Sequence, residues 1–303
     1  MKYHNPIITG FHPDPSVCRV GNDFYLVNSS FEYFPGIPIY HSTDLTHWEQ
    51  IGHVLDRKNQ LKLVNGAPNC LGIYAPTIRY HEGIFYCIVT NVGGRSGGNF
   101  FVYTTDPYGR WSNPVKLPFA GIDPSLFFDE DGRIYYTGTD TGIYIAEITF
   151  DVVRNDTPKR NELPVSIQNV KCGEKHYIWN GSGGNNPEGP HLYRIHDMYY
   201  LMIAEGGTEY CHMVTIARSK NVYGPYEACP HNPVLSNRST CLNIKAIGHA
   251  DLVEDSQGSW WAVCLGIRPL GYPFRHNLGR ETMLAPVKWE NGWPVMGDNG
   301  TVT

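Results

Sequence analysis

Five short segments of this 303-residue chain repeat one pattern, and that repetition limits the fold more than any local propensity does. Each begins with a small or acidic residue, often beside Pro, and runs through a short apolar stretch and a turn into an aromatic-rich stretch. The segments are His12-Pro13-Asp14-Pro15-Ser16 leading to Asp23-Phe24-Tyr25-Leu26-Val27, and Tyr74-Ala75-Pro76-Thr77 leading to Ile84-Phe85-Tyr86-Cys87-Ile88. Ile122-Asp123-Pro124-Ser125 leads to Arg133-Ile134-Tyr135-Tyr136, and Pro187-Glu188-Gly189-Pro190 to Met198-Tyr199-Tyr200-Leu201-Met202. The last is Gly248-His249-Ala250-Asp251, leading to Ser259-Trp260-Trp261-Ala262-Val263. From 14 through 75, 123, 188 and 249 the steps are 61, 48, 65 and 61 residues.

Each unit reads as a β-hairpin, with turn signals between its runs: Gly21-Asn22-Asp23, Glu82-Gly83, Glu130-Asp131-Gly132, His196-Asp197 and Ser256-Gln257-Gly258. A second pair of strands is marked by His41-Ser42-Thr43-Asp44 before Trp48 and by Tyr103-Thr104-Thr105-Asp106 before Trp111. Ala217-Arg218-Ser219 before Tyr223-Gly224-Pro225-Tyr226 is a looser copy. No capped run of period 3.6 occurs. About four strands in each of five repeats describe an all-β, five-bladed β-propeller. With no linker or composition break, residues 1–303 are expected to form one domain.

In a propeller, equivalent blade positions point at the central channel or its mouth. That slot holds Asp14, Ala75, Asp123, His249 and, one residue early, Glu188. Three carboxylates and a histidine therefore converge. The plainer reading of each Asp-Pro is a turn device, since Asp bonds its own backbone and Pro fixes the turn. Three acids at one repeat position favour a site, because buried acids are costly unless used or paired. Flat sugar faces pack on aromatic rings, and Phe31, Tyr33, Phe34, Tyr74 and Trp179 are available as walls or as core. Phe31 and Tyr74 lie in Gly-, Pro- and Ser-rich loops beside the first two blade starts.

Only 17% of residues are charged and the net charge is -5, so there is no electrostatic footprint for nucleic acid or an anionic membrane. No run of 18 apolar residues occurs, and the N-terminus lacks the apolar core of a secretory signal. The chain as written is expected to be cytoplasmic; secretion would require a signal already removed. The eight cysteines, at 18, 70, 87, 172, 211, 229, 241 and 264, show no Cys-x-x-Cys pair and read as reduced, buried thiols. Cys211-His212 is isolated, and no metal is expected there.

Glycoside hydrolysis requires a protonated acid for the leaving oxygen and an ionised carboxylate on the opposite face of the sugar. A third carboxylate raises the acid's pKa by like-charge repulsion. His-Pro-Asp-Pro-Ser at 12–16, Ile-Asp-Pro-Ser at 122–125 and Asn-Pro-Glu-Gly-Pro at 186–190 resemble motifs of glycoside hydrolase family 43. Ser29-Ser30-Phe31-Glu32-Tyr33-Phe34-Pro35-Gly36, Gly248-His249-Ala250-Asp251 and Leu278-Gly279-Arg280-Glu281-Thr282 resemble its β-xylosidase and α-L-arabinofuranosidase branch. The resemblance runs from residue 5 to about 295 and itself implies a five-bladed propeller.

It implies an inverting, exo-acting β-xylosidase that releases D-xylose from xylo-oligosaccharides, or an α-L-arabinofuranosidase or bifunctional enzyme on arabinose-substituted substrates. Asp14 would be the general base, Glu188 the general acid, and Asp123 the group that orients the acid and tunes its pKa. Inversion sets the base and acid roughly 6.5–9.5 Å apart. Phe31 and Tyr74 would wall the terminal sugar, Arg280 would bond its hydroxyls, and His249 would line the channel beneath. No cofactor is required, although in some relatives this histidine helps hold a calcium or its waters, so the resemblance allows a structural calcium near His249.

Two departures stand out. Position 74 is usually Trp in the β-xylosidases and is Tyr here. Relatives also commonly continue into a C-terminal β-sandwich, whereas this chain stops soon after Gly292-Trp293-Pro294, so a more open pocket is expected. Retaining fructan hydrolases fit poorly, since Ile122 precedes Asp123 and Gly189 follows Glu188. A non-catalytic sugar-binding propeller would keep the aromatic walls without needing three acids.

Overall fold

The computed structural model describes residues 3–63, 69–93, 97–271 and 275–303. All five expected hairpins form. Ser16–Val20 pairs with Asp23–Val27, Thr77–His81 with Ile84–Val92, and Ile122–Phe128 with Ile134–Thr139. Glu188–Ile195 pairs with Met198–Glu205, and Lys245–Glu254 with Trp260–Ile267. Each hairpin gains a third strand: Gly36–Ser42, Gly98–Thr104, Ile143–Arg154, Met213–Ser219 and Glu281–Glu290 in turn. The fourth strands are Glu49–Leu55, Val115–Lys116, Val165–Cys172, Glu227–Ala228 and Trp293–Met296. The first strands of successive blades pack against one another, the fifth against the first, and close a ring. This is the five-bladed propeller. No helix among the described residues is long and apolar enough to cross a membrane.

The three outer-strand motifs are one device. After the third strand, Ser42 Oγ accepts the backbone N–H groups of Asp44 and Leu45, while Asp44 Oδ1 accepts those of Thr46 and His47. Thr104 with Asp106 and Ser219 with Asn221 repeat it in the second and fourth blades. Short polar side chains stand in for the missing ladder, and the strand stops there.

Strand alternation explains the aromatic-rich runs. Tyr25 and Val27 face the second blade, whereas Phe24 and Leu26 face the fifth. Phe85, Cys87 and Val89 face the first blade, and Ile84, Tyr86 and Ile88 the third. Successive side chains point to opposite faces, and here both faces are covered, so the strand reads as continuously apolar. The buried residues accordingly fall into five clusters, one at each blade interface. Trp179 packs against the cluster between the third and fourth blades, the core reading rather than the wall reading. The cysteine expectation holds for half its set: Cys18, Cys87, Cys229 and Cys264 are buried, Cys172 is intermediate, and Cys70, Cys211 and Cys241 are exposed. The exposed three lie in loops and belong to none of the inter-blade clusters.

Among the described residues no strand is exchanged between the first and last blades. Residues near the N-terminus fasten the seam instead. Ile7 N–H donates to Thr282 O at 2.9 Å, and Asn5 bonds both Leu284 O and Leu284 N, at 3.0 and 2.8 Å. Asn28 Nδ2 then reaches His12 O, Pro13 O and Thr282 Oγ1.

Midway along the axis the first strands carry a buried ion pair. Asp251 has no exposed surface and receives Arg79 Nη1 at 2.7 Å, Ser16 Oγ at 2.6 Å and Tyr193 OH at 2.5 Å. Arg79 Nη2 donates to His191 Nδ1 at 2.9 Å, and burial pushes that imidazole down to about 3, keeping it neutral and able to accept. Burial would raise the Asp251 carboxyl, but Arg79 above all holds it well below the usual range. Asp251→Ala is expected to cost about 3–5 kcal/mol, since it strands a buried guanidinium. An Arg79→Met/Asp251→Leu double variant is expected to recover most of that. Denaturant unfolding of both reads the outcome, and a single variant within about 1 kcal/mol of the parent contradicts the burial assignment.

Candidate active site

The slot residues reach the axis because the backbone is turned there. Asp14, Asp123, Gly189 and His249 adopt φ of 53°, 53°, 60° and 47°. Pairing register shifts between Ile122 and Ser125, between Glu188 and His191, and between Gly248 and Asp251. A bulge with a left-handed residue re-aims a side chain out of the ladder, and each such non-glycine residue stores roughly 1–3 kcal/mol of strain. In the fourth blade Gly189 takes the left-handed position and Glu188, one residue earlier, supplies the carboxylate, which accounts for its offset in the repeat. A Cβ on Gly189 would lie 2.9 Å from the His249 ring.

Together these residues line a cavity of about 300 Å³ at one end of the axis. Its walls include Asp14, Asp123, Glu188, His249, Arg280, Phe31 and Tyr74, every residue of the expected set. Asp14 and Asp123 are buried, and Glu188 is partly exposed. Ser29 Oγ donates to Asp14 Oδ2 at 2.5 Å, and Arg280 Nη1 donates to Asp14 Oδ1 at 2.9 Å. His249 Nδ1 lies 4.0 Å from Asp14 Oδ1. Asp123 Oδ2 accepts the Gly189 N–H at 3.1 Å. The Arg280 guanidinium sits 5.3 Å from the centre of the Phe31 ring, which is 5.4 Å from that of Tyr74. Phe31 is fixed by paired backbone bonds to Ile73, and the Tyr74 hydroxyl donates to Cys70 O at 3.0 Å.

Electrostatics separates the three acids. Burial raises all three. For Asp14 it is outweighed by Arg280, His249 and the Ser29 hydroxyl, so this carboxyl sits below its usual range. Glu188 is pushed up to about 7 by burial and the charge of Asp14, with Arg280 pulling the other way. Asp123 is raised well above its usual value by burial, Glu188 and Asp14, against the Gly189 N–H. Burial lowers His249, which is therefore neutral at pH 7. At that pH the cavity holds one ionised carboxylate beside its cation and two that retain protons readily.

Arg280 was expected to face sugar hydroxyls, yet one of its nitrogens is committed to Asp14. Tyr33 and Phe34 are 60% and 46% exposed and do not line the cavity; Tyr33 rests on Phe11 at the rim. Ile122, Thr208 and Cys70 line it unforeseen. Ile122 was legible as the residue before a slot acid, whereas Thr208 and Cys70 sit in loops outside the repeat. Ser29 was visible only as part of a motif, and its role at Asp14 had no sequence signal because it depends on a fold contact across 15 residues.

Among the described residues no group of three or more His, Cys, Asp or Glu side chains could hold a metal ion. Calcium takes six to eight oxygens. The carboxylates nearest His249, Asp14 and Asp251, are occupied by Arg280 and Arg79. These residues do not fit a calcium held by protein carboxylates.

The family model described as "Glycosyl hydrolases family 43" matches residues 3–294. A non-reducing end α-L-arabinofuranosidase of Bacteroides ovatus is 50% identical over 99% of this chain and 54% of its own length. A β-xylosidase of Bacillus subtilis is 38% identical over 100% of this chain and 58% of its own. The crystal structure of a xylan β-1,4-xylosidase from Bacillus halodurans superposes with a TM-score of 0.87 at 38% identity, over 100% of this chain and 58% of that one. The chain thus spans little more than half the length of these relatives.

Gly189→Ala is expected to lose about 1–2 kcal/mol of stability from the left-handed backbone alone. It is also expected to displace His249 and Glu188, lowering kcat/KM by an order of magnitude or more. Thermal unfolding and hydrolysis rates read the two effects, and parental values of both would remove the packing role given to this glycine.

Proposed function

This chain belongs to glycosyl hydrolase family 43, and from that premise we propose that it is an inverting exo-glycosidase removing one terminal pentose from a glycan. The observation that carries the reading is the split among the three acids: Asp14 ionised beside Arg280, Glu188 raised to about 7, Asp123 raised with it. One displacement suffices. Asp14 takes a proton from water, whose oxygen attacks the anomeric carbon, while Glu188 gives its proton to the departing glycosidic oxygen. Asp123, held by the Gly189 N–H, is the carboxyl whose charge would oppose ionisation of Glu188 and so help it keep its proton. Arg280 and Ser29 hold both oxygens of Asp14, so its lone pairs are aimed as well as charged. No resident cofactor enters these steps.

β-D-xylosyl is the first reading of the terminal sugar, supported by the β-xylosidase relatives. A second, α-L-arabinofuranosyl, is favoured by the relative that is 50% identical and by a smaller ring at Tyr74 beside Phe31. The glycan would then be a xylo-oligosaccharide or an arabinose-substituted one. Hydrolysis of 4-nitrophenyl β-D-xylopyranoside beside 4-nitrophenyl α-L-arabinofuranoside decides between them. Preference for the xyloside supports the first reading and preference for the arabinoside the second; turnover of neither counts against this chain as an enzyme on its own.

The activity is expected to be bell-shaped in pH. The alkaline limb falls near 7, as Glu188 loses the proton it must donate, and the acid limb lies below the usual carboxylate range, where Asp14 gains one. Glu188→Gln is expected to abolish the alkaline limb and to slow sugar leaving groups roughly 100-fold or more, the scale of acid catalysis, with much smaller loss on activated aryl groups. Equal losses on both classes, or a surviving limb near 7, would count against Glu188 as the acid.

A further inference from the structure

Four residues form a ring one layer beneath the cavity. Ser16, Ser125, His191 and Asp251 are the positions at which strand pairing begins or resumes past the left-handed residues Asp14, Asp123, Gly189 and His249. All four are buried. Three of them are joined through Arg79 of the second blade. Ser16 Oγ donates to Asp251 Oδ2 and accepts the Ile78 N–H at 3.0 Å. Arg79 Nη1 and Nη2 both donate to the Asp251 carboxylate, and Nη2 also reaches His191 Nδ1. Four blades are therefore tied at one point. Ser125 is the exception, since its Oγ has no hydrogen-bond partner among the described residues. Its blade is fastened to the fourth by other bonds, from Gly189 N–H to Asp123 Oδ2 and from Thr137 Oγ1 to Pro190 O.

Resting on the proposed exo-glycosidase reading, we propose that Ser16, Arg79, His191 and Asp251 are positioning residues that set the separation of Asp14 from Glu188. The path between base and acid is short. Asp14 lies two residues before Ser16, Glu188 lies three before His191, and Asp251 and Arg79 bridge the gap. Left-handed backbone at Asp14 and His249 persists only where surrounding contacts over-determine it, and here the next ladder residue is the one that is pinned. Apolar side chains would fill the same space, but directional bonds fix the register of one blade against another. A single displacement needs its two carboxyls roughly 6.5–9.5 Å apart, and about 1 Å of misplacement costs on the order of 100-fold in rate.

The test uses matched substitutions. Ser16→Ala and Ser125→Ala remove the same atom from the same Asp-Pro-Ser sequence in two blades. Ser16→Ala is expected to lower kcat per folded molecule about tenfold with KM held within about twofold, and Ser125→Ala to leave both within about twofold. His191→Leu is expected to lose as much as Ser16→Ala, while His191→Asn, which keeps an acceptor for Arg79, recovers most of it. The Arg79→Met/Asp251→Leu variant is expected to fold stably and yet lose kcat about tenfold or more. Denaturant curves give the folded fraction in each case. Parental kcat in Ser16→Ala or in the double variant, or equal losses from the two serine substitutions, overturns the assignment.

A second readout needs no turnover. With carbon-13 in the carboxyl groups, the titration of Glu188, assigned by its loss in Glu188→Gln, reports how Asp14, Asp123 and Arg280 stand around it. Ser16→Ala is expected to move that midpoint by about half a pH unit or more, and Ser125→Ala to leave it in place. An unmoved midpoint in Ser16→Ala overturns the positioning role. If the unsubstituted chain hydrolyses no glycoside at all, it is the activity reading that fails, and the titration still decides whether the network sets the separation.

Discussion

The contact between Asp14 and Arg280 spans 266 residues and lies where the ring of blades closes. Everything chemical in this molecule depends on that seam. Asp14 precedes the first strand of the first blade, and Arg280 precedes the third strand of the last. Among the described residues no exchanged strand locks the two together, and the work falls to a few hydrogen bonds from residues 5–12 and to the apolar cluster of Ile8, Val17, Leu26, Val263 and Leu284. The same bonds that complete the ring bring a guanidinium to 2.9 Å from a buried carboxylate. Closure of the fold and assembly of the site are one event.

One cation among three acids then decides which acid does what. Burial alone would push all three carboxyls up together and leave the cavity without a charge. Arg280 reaches Asp14 directly, and His249 lies 4.0 Å from the same oxygen. Arg280 acts on Asp123 and Glu188 too, but without the direct ion pair it makes with Asp14, and burial and neighbouring carboxylates outweigh it there. The asymmetry comes from position around the ring, since the carboxyls are chemically almost the same. Families of sites that place like groups in unlike surroundings obtain acid and base from one residue type in this way.

Much of this was legible in the sequence because it repeats. The hairpins were visible as paired runs, and the slot acids as a residue type recurring at one position in each unit. The outer strands of the third and fifth blades were not marked, because Ile143–Arg154 and Glu281–Glu290 end without the Ser/Thr-x-Asp or Ser-x-Asn signal of the other three blades. The bulges were invisible as such. Only the displacement of Glu188 by one residue hinted that Gly189 held the left-handed place. What remained hidden depended on distant partners: Ser29 beneath Asp14, Asn5 on Leu284, and Thr208 in a loop with no counterpart elsewhere. Such residues carry no local pattern, since the contact that gives them meaning exists only after the ring has closed.

The pair Arg79–Asp251, with Ser16, Tyr193 and His191 around it, stands across the axis beneath the cavity, and a separate hollow of about 350 Å³ opens on the far side. A propeller axis is often imagined as a tunnel, but this one is stoppered by charge. Whatever enters the well must back out by the same mouth. A well closed in this way can meet a long ligand only at its end, with no thread drawn through the axis.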